Sequence, residues 1–313
     1  MAAATSIDLT LGPMLTGVLL ATFLFGVECV QLYMYFRDFP KDSQLLKGLV
    51  TIVWVVELTH QGCTMHSVYW LLISNFGNPH LTTSPVPATF VLPILFSAII
   101  VLLVQTFFAH RLWRSTNKTI LCIIFMILVV ARFILTGVIA GSAINMQSFA
   151  SFLKQFKALI TAAWVSGACI DILMSLSLCY DLHTRRSGFV RTSRLIDRLI
   201  VWCVATGLLT SVYALIIAIC FLTMPDNLIW DAMYIAASRF FANTLLASLN
   251  ARRSIRRMDS QSTTNAISSS QFIDIGARTH NTLDVPLTVV VTETKTKDLE
   301  NGLQRGMHKH ARS

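Results

Sequence analysis

Residues 88–108 read ATFVLPILFSAIIVLLVQTFF, a run of 21 residues without a charged side chain. An α-helix of about 20 apolar residues is long enough to cross a hydrocarbon core of about 30 Å. With this run the sequence contains seven such segments, approximately Leu11–Tyr35, Leu49–Ile73, Ala88–Phe108, Ile120–Ala140, Ala158–Tyr180, Leu199–Leu222 and Leu228–Leu249. The pattern therefore predicts a polytopic membrane protein with seven transmembrane helices.

The composition of the whole chain agrees with this interpretation. Of 313 residues, 54% are hydrophobic and only 13% are charged, whereas soluble domains carry about 25% charged residues. Continuous apolar runs exclude the alternating strands of a membrane β-barrel, and backbone groups in lipid must then bond within each helix. The predicted fold class is all-α.

The connections between the predicted helices are alternately rich and poor in lysine and arginine. These residues are retained on the cytoplasmic side of a membrane in short loops. They occur in the first, third and fifth connections and at the start of the tail, whereas 74–87 and 223–226 contain none. The N-terminus is therefore expected outside and the C-terminus in the cytosol.

The chain is expected to have three parts. Residues 1–10 form a short outer N-terminus, residues 11–250 form the seven-helix domain, and residues 251–313 form a disordered, basic, Ser/Thr-rich cytosolic tail. The sequence does not distinguish a plasma membrane from an endomembrane.

Arginines of the fifth connection and of the tail form a basic cytosolic surface. Its members are Arg185, Arg186, Arg191, Arg194, Arg252, Arg253, Arg256 and Arg257. A cytosolic protein partner is expected to bind this surface, and the lipid bilayer is the other expected partner. The net charge of +9 does not indicate nucleic-acid binding, because the basic residues are located at helix ends beside a membrane.

Polar residues at membrane depth are the candidate functional residues, because a charge at the centre of a spanning helix costs roughly 2.5–3.5 kcal/mol. The predicted network consists of Glu28, Glu57, His60, Gln61, Arg132, Asp171, Arg239 and Asn243. Glu57, His60 and Gln61 share one helix face, as do Arg239 and Asn243. The seventh segment is the least apolar and is expected to be an inner helix.

Two acid–base pairs are expected at similar depth, Glu57 with Arg239 and Arg132 with Asp171. One hypothesis is that these pairs surround a polar cavity that binds a ligand or passes an ion. The alternative is that they only fix the register of the helices. The spacing of Gly137 and Gly141 indicates close helix packing.

Signals for catalysis and metal binding are weak. Glu57 and His60 would present two metal ligands on one face, which falls short of a site without a second such pair. Walker, glycine-rich and nucleophile-elbow patterns are absent from the sequence. No cofactor or metal is therefore expected, and the protein is not expected to be an enzyme. An intramembrane hydrolase is the remote alternative.

Several short motifs carry a family resemblance. They are Tyr35–Asp42 (YFRDFPKD), Asn75–Pro79 (NFGNP), Thr184–Phe189 (TRRSGF), Thr206–Ser211 (TGLLTS) and Asn243–Arg253 (NTLLASLNARR). In this order they resemble a large family of basidiomycete fungal multi-pass membrane proteins defined only as a domain of unknown function. The resemblance implies a fungal seven-helix membrane protein and assigns no site residues.

Two classes of function fit these observations. A receptor-like protein or sensor would bind a small ligand within the bundle and a partner at the basic surface. A transporter or channel would need a continuous polar path, and transporters often have internal repeats or broken helices. Since neither repeats nor broken helices are clear in the sequence, the sensor is the favoured interpretation.

Overall fold

The described part of the chain consists of helices joined by short connections. The computed structural model describes residues 7–75, 88–144, 149–184, 190–224 and 227–252, without the side chains of 7–11, 149–150, 182 and 190–206. Its seven α-helices are α1 (Ile7–Asp38), α2 (Gln44–Tyr69), α3 (Ala88–Thr116), α4 (Thr119–Ile144), α5 (Phe149–Thr184), α6 (Val190–Thr223) and α7 (residues 229–252). A π-helical turn, Trp70–Ser74, extends α2. The predicted all-α fold class is confirmed, and each predicted apolar run coincides with one helix.

Four of these helices are long and apolar enough to cross a membrane. They contain the segments Gly12–Asp38, Ala88–Thr116, Thr119–Ile144 and Ser151–Asp181. The described side chains of α6 cover only Gly207–Thr223, which is apolar but shorter. These segments identify a membrane protein. The spanning of α2, α6 and α7 stays a prediction, as does the orientation of the termini. The predicted tail beyond Arg252 lies outside the described residues.

The outward surface of the helices is apolar even where a helix carries many polar residues. On α2, the side chains of Ile52, Leu58 and Met65 are exposed, whereas the carboxylate residue Glu57 is completely buried. Exposed hydroxyl groups bond to their own helix, as in Thr59, which donates to the Val55 carbonyl at 2.9 Å. Such a surface suits hydrocarbon, where every polar group needs an internal partner.

Helix α7 lies inside the bundle, as predicted. None of residues 229–252 is exposed. At its start, Trp230 packs in a cluster formed with α3, α4, α5 and α6. Further along, Ile235 packs with residues of α1 and α2, and Leu245 packs with residues of α1, α2 and α3. The polar residues of α7 therefore face other helices.

Close helix packing occurs at a different glycine from those predicted. A Cβ atom at Gly137 or Gly141 would meet open space, so the prediction for this pair is wrong: no backbone among the described residues approaches α4 at these two glycines. A Cβ atom at Gly17 of α1 would instead lie 2.6 Å from the carbonyl oxygen of Ala232 in α7. Only glycine permits this approach between the two helices.

Replacement of Gly17 by alanine is expected to destabilise the protein by about 1–3 kcal/mol, the usual cost of overpacking a well-packed core. Thermal unfolding of the purified protein in detergent measures this change. Gly26, also on α1, is the matched control, because a Cβ there would meet open space and alanine favours a helix over glycine by about 1 kcal/mol. Equal losses in both variants would contradict the close α1–α7 contact.

Candidate functional site

The centre of the bundle contains a buried polar cluster around Arg239 of α7. Its guanidinium forms an ion pair with the Glu57 carboxylate and donates to the Glu57 carbonyl oxygen at 3.1 Å. It also donates to Gln61 Oε1 at 2.8 Å. The predicted contact between Glu57 and Arg239 is therefore present, and the polar face of α2 is turned toward α7.

His60 connects this cluster to Ser97 of α3. Arg239 Nη2 lies 3.0 Å from His60 Nδ1, and a guanidinium can only donate, so Nδ1 must accept. The hydrogen on Nε2 then points to Ser97 Oγ at 3.1 Å. This arrangement joins α2, α3 and α7 through one neutral imidazole.

Side chains of α1 complete the cluster. Gln61 donates to Thr22 Oγ1 at 2.7 Å, and Gln31 donates to Asn243 Oδ1 at 3.0 Å. Glu28 is fully buried, its carboxyl group has no hydrogen-bond partner among the described side chains, and it lies near Arg239. Six of the eight predicted network residues thus lie in one region: Glu28, Glu57, His60, Gln61, Arg239 and Asn243.

The other two predicted residues, Arg132 and Asp171, do not form a direct ion pair in the described structure. Asp171 Oδ1 instead accepts from Gln105 of α3 at 2.7 Å. Arg132 is packed against α5, where a Cβ at Gly167 would overlap its guanidinium. Its charge still interacts with that of Asp171. The expectation of direct pairing was wrong because α3 contacts both α4 and α5 and supplies a nearer partner.

A large cavity lies beside the polar cluster. Its volume is about 530 Å³, and its lining comes from all seven helices. Most of the lining is apolar or aromatic, including Trp164 and Trp230, and polar groups are few. Cavities of 300–1,000 Å³ with this kind of lining typically hold drug-sized molecules. The arrangement can therefore bind a small, mainly apolar ligand.

The cavity reaches from one end of the bundle to its middle. At that end it is lined by the beginnings of α3 and α5, at Phe90 and Phe152, and by the end of α4, at Ala143. In the middle it is lined by Gln105 and Arg132. Of the predicted network, only His60 and Arg132 line it. The sequence hypothesis was of a polar cavity, whereas this cavity is mainly apolar. Its apolar character was not predicted, because its aromatic lining resembles ordinary core sequence.

The predicted basic surface is only partly described. Arg252 is held in place by Asp42, with Nη2 at 2.5 Å and Nη1 at 3.3 Å from its carboxylate oxygens. It also lies over the ring of Phe39 at 4.3 Å. Arg185, Arg186, Arg253, Arg256 and Arg257 lie outside the described residues, and for Arg191 and Arg194 only the helical backbone of α6 is described. Arg252 thus connects the end of α7 to the α1–α2 connection.

Among the described residues, no group of three or more His, Cys, Asp or Glu side chains is placed to hold a metal ion. The six described cysteines are free thiols.

Comparison with known proteins gives one partial match. A model described as "Family of unknown function (DUF6534)" matches residues 167–254. No curated protein and no solved structure matches the chain. The matched region covers Thr184–Phe189, Thr206–Ser211 and Asn243–Arg253 but not the two earlier motifs. The chain thus contains a region similar to a domain of unknown function, and its fungal origin stays a prediction.

Proposed function

We propose that the protein is a receptor-like sensor that crosses the membrane seven times, with its N-terminus outside and its C-terminus in the cytosol. In this proposal the protein binds rather than catalyses. The ligand is a small, mainly apolar molecule, and the signal is received by a cytosolic partner. The observation that carries the proposal is the cavity of about 530 Å³ within the helices.

The packing of the other half of the bundle favours a sensor over a transporter. Beyond Gln105, the described side chains include two apolar clusters. One includes Tyr35, Val50 and Leu249, and the other includes Leu112 and Leu178. A transporter or channel needs a polar path, or a gap that can open, through this region. Beyond Gln105 the cavity is followed by a pocket of only about 40 Å³, lined by residues that include Phe108, Asp171 and Leu178. This narrowing suits ligand binding without passage.

A chain of contacts connects the cavity with the proposed cytosolic end. Ser97 and His60 line the cavity, and His60 bonds to Arg239 of α7. At the far end of the same helix, Arg252 is paired with Asp42. A ligand that moves Ser97 or His60 would thus act on α7, from whose end the predicted partner-binding tail begins. Such a ligand would shift the bundle between two states through its different affinity for each.

A cavity-filling substitution tests the binding site. Ala163 of α5 lines the cavity, whereas the adjacent Ala162 is exposed. A medium-chain alcohol with a terminal bromine is a suitable probe, because bromine quenches the fluorescence of Trp164 and Trp230 on contact. We expect Ala163→Phe to weaken saturable quenching at least about tenfold, which corresponds to about 1.4 kcal/mol of binding free energy.

Ala162→Phe is the matched control and should bind the probe as the wild type does. Thermal unfolding of both variants checks that the bundle remains folded. Equal quenching in wild type and in folded Ala163→Phe would contradict a ligand site in the cavity. Passage of the probe through vesicle membranes that depends on the protein would favour the transporter instead.

A further inference from the structure

Two side chains at the inner end of the cavity each carry a buried polar atom that lacks a partner. Arg132 Nη1 and Gln105 Oε1 are both buried and form no hydrogen bond with the described residues. Both side chains line the cavity. A buried polar group without a partner costs about 1–3 kcal/mol. A ligand that satisfies both atoms would recover this free energy.

The orientation of Gln105 determines which ligand group it needs. Its Nε2 atom donates to Asp171 Oδ1 at 2.7 Å. The amide nitrogen is thus the atom that faces Asp171. The carbonyl oxygen of Gln105 is therefore left to accept a hydrogen bond. The ligand must bring a donor to Gln105 and an acceptor to Arg132.

The charges at this end indicate a neutral ligand. Arg132 lies against Gly167, which is one helical turn from Asp171 on α5. Asp171 is therefore an acidic neighbour of Arg132, and a second acidic residue, Asp231, also lines the cavity. An anionic ligand would add a negative charge near these two acidic groups, and an unpaired charge in apolar surroundings is strongly unfavourable.

We propose that the cavity binds a neutral, mainly apolar alcohol. Its hydroxyl group accepts a hydrogen bond from Arg132 Nη1 and donates one to Gln105 Oε1, because a hydroxyl is both donor and acceptor. Its hydrocarbon part lies against the apolar lining. This inference rests on the proposed function and adds the chemical class of the ligand.

A matched set of brominated probes tests the hydroxyl. The set contains a medium-chain alcohol, the alkane and the carboxylic acid of the same chain length, and quenching is measured at a pH where the acid is ionised. We expect the alcohol to bind at least about tenfold more tightly than either other probe, since a hydrogen bond to a charged group contributes about 1.5–3 kcal/mol.

Two variants separate hydrogen bonding from charge. Asp171→Asn leaves Arg132 without its counter-charge, so the preference should shift from the alcohol to the acid. Arg132→Met combined with Asp171→Asn keeps the site neutral but removes the donor. The preference for the alcohol over the alkane should then be smaller than in the wild type, because only the hydrogen bond to Gln105 Oε1 remains. Because the double variant buries no unpaired charge, it remains informative even if a single variant fails to fold.

The outcomes distinguish this inference from the proposed function. If the alkane binds the wild type as tightly as the alcohol, and Ala163→Phe abolishes both, the cavity binds ligands but hydroxyl recognition is wrong. If the acid binds most tightly to the wild type, the neutral-ligand inference is overturned. If Ala163→Phe changes none of the three, the proposed function fails as well.

Discussion

Replacement of Arg239 by methionine is expected to lower the free energy of unfolding by about 3–5 kcal/mol, because it leaves a buried carboxylate without its counter-ion. Arg239 is completely buried and pairs with Glu57, which is also completely buried. The same substitution removes the donors to Gln61 and His60. Denaturation of the purified protein in detergent or bilayers measures the loss.

Two further variants identify the source of that loss. Glu57→Gln combined with Arg239→Met removes both charges of the pair and should recover part of the stability, with a coupling of about 0.5–3 kcal/mol between the two sites. Arg37→Met is the control, because Arg37 forms an exposed pair with Asp38 at 3.0 Å and such pairs contribute about 0–1 kcal/mol. A double variant no more stable than Arg239→Met alone would argue against the pair.

The buried face of α2 could be predicted because its cause is local. Glu57, His60 and Gln61 follow the helical repeat, and charged groups at membrane depth must avoid lipid. Arg239 is the only arginine or lysine in the seventh apolar run. Helical spacing and charge matching together were therefore sufficient to place two distant segments in contact.

The surroundings of Arg132 could not be predicted in the same way. Charge matching predicted a pair between Arg132 and Asp171. In the structure, Asp171 instead accepts a hydrogen bond from Gln105. The sequence did contain a signal for this contact, which was overlooked: Gln105 is the only amide side chain in residues 88–108. Whether an amide or a guanidinium reaches a carboxylate depends on helix rotation and distance, which apolar periodicity does not determine.

The cavity and the close contact at Gly17 depend on three-dimensional shape. Trp164 and Trp230 would have the same sequence signature if they filled a solid core. Likewise, the spacing of Gly137 and Gly141 indicates that two backbones can approach, but not that a second helix is present. Features of this kind follow from the relative positions of helices that are far apart in sequence.

The two ends of α2 are expected on opposite sides of the membrane, and so are the two ends of α7. These two helices provide the most demanding test, because their polar residues make their sequences the least typical of spanning segments. Their polar side chains are buried against each other, so spanning would expose no charge of this cluster to lipid. Loss of the Glu57–Arg239 contact would be expected if either helix lay on the membrane surface.

Single-cysteine labelling tests the proposed seven-span topology most directly. In a background without the native cysteines, Lys41→Cys and Thr83→Cys bracket α2, and Asp226→Cys and Ser260→Cys bracket α7. The reagent is a membrane-impermeant maleimide, applied to sealed vesicles whose cytosolic face is outward. We predict that positions 41 and 260 react at once, and that 83 and 226 react only after detergent is added. Labelling of both members of either pair from the same side would contradict the seven-span bundle.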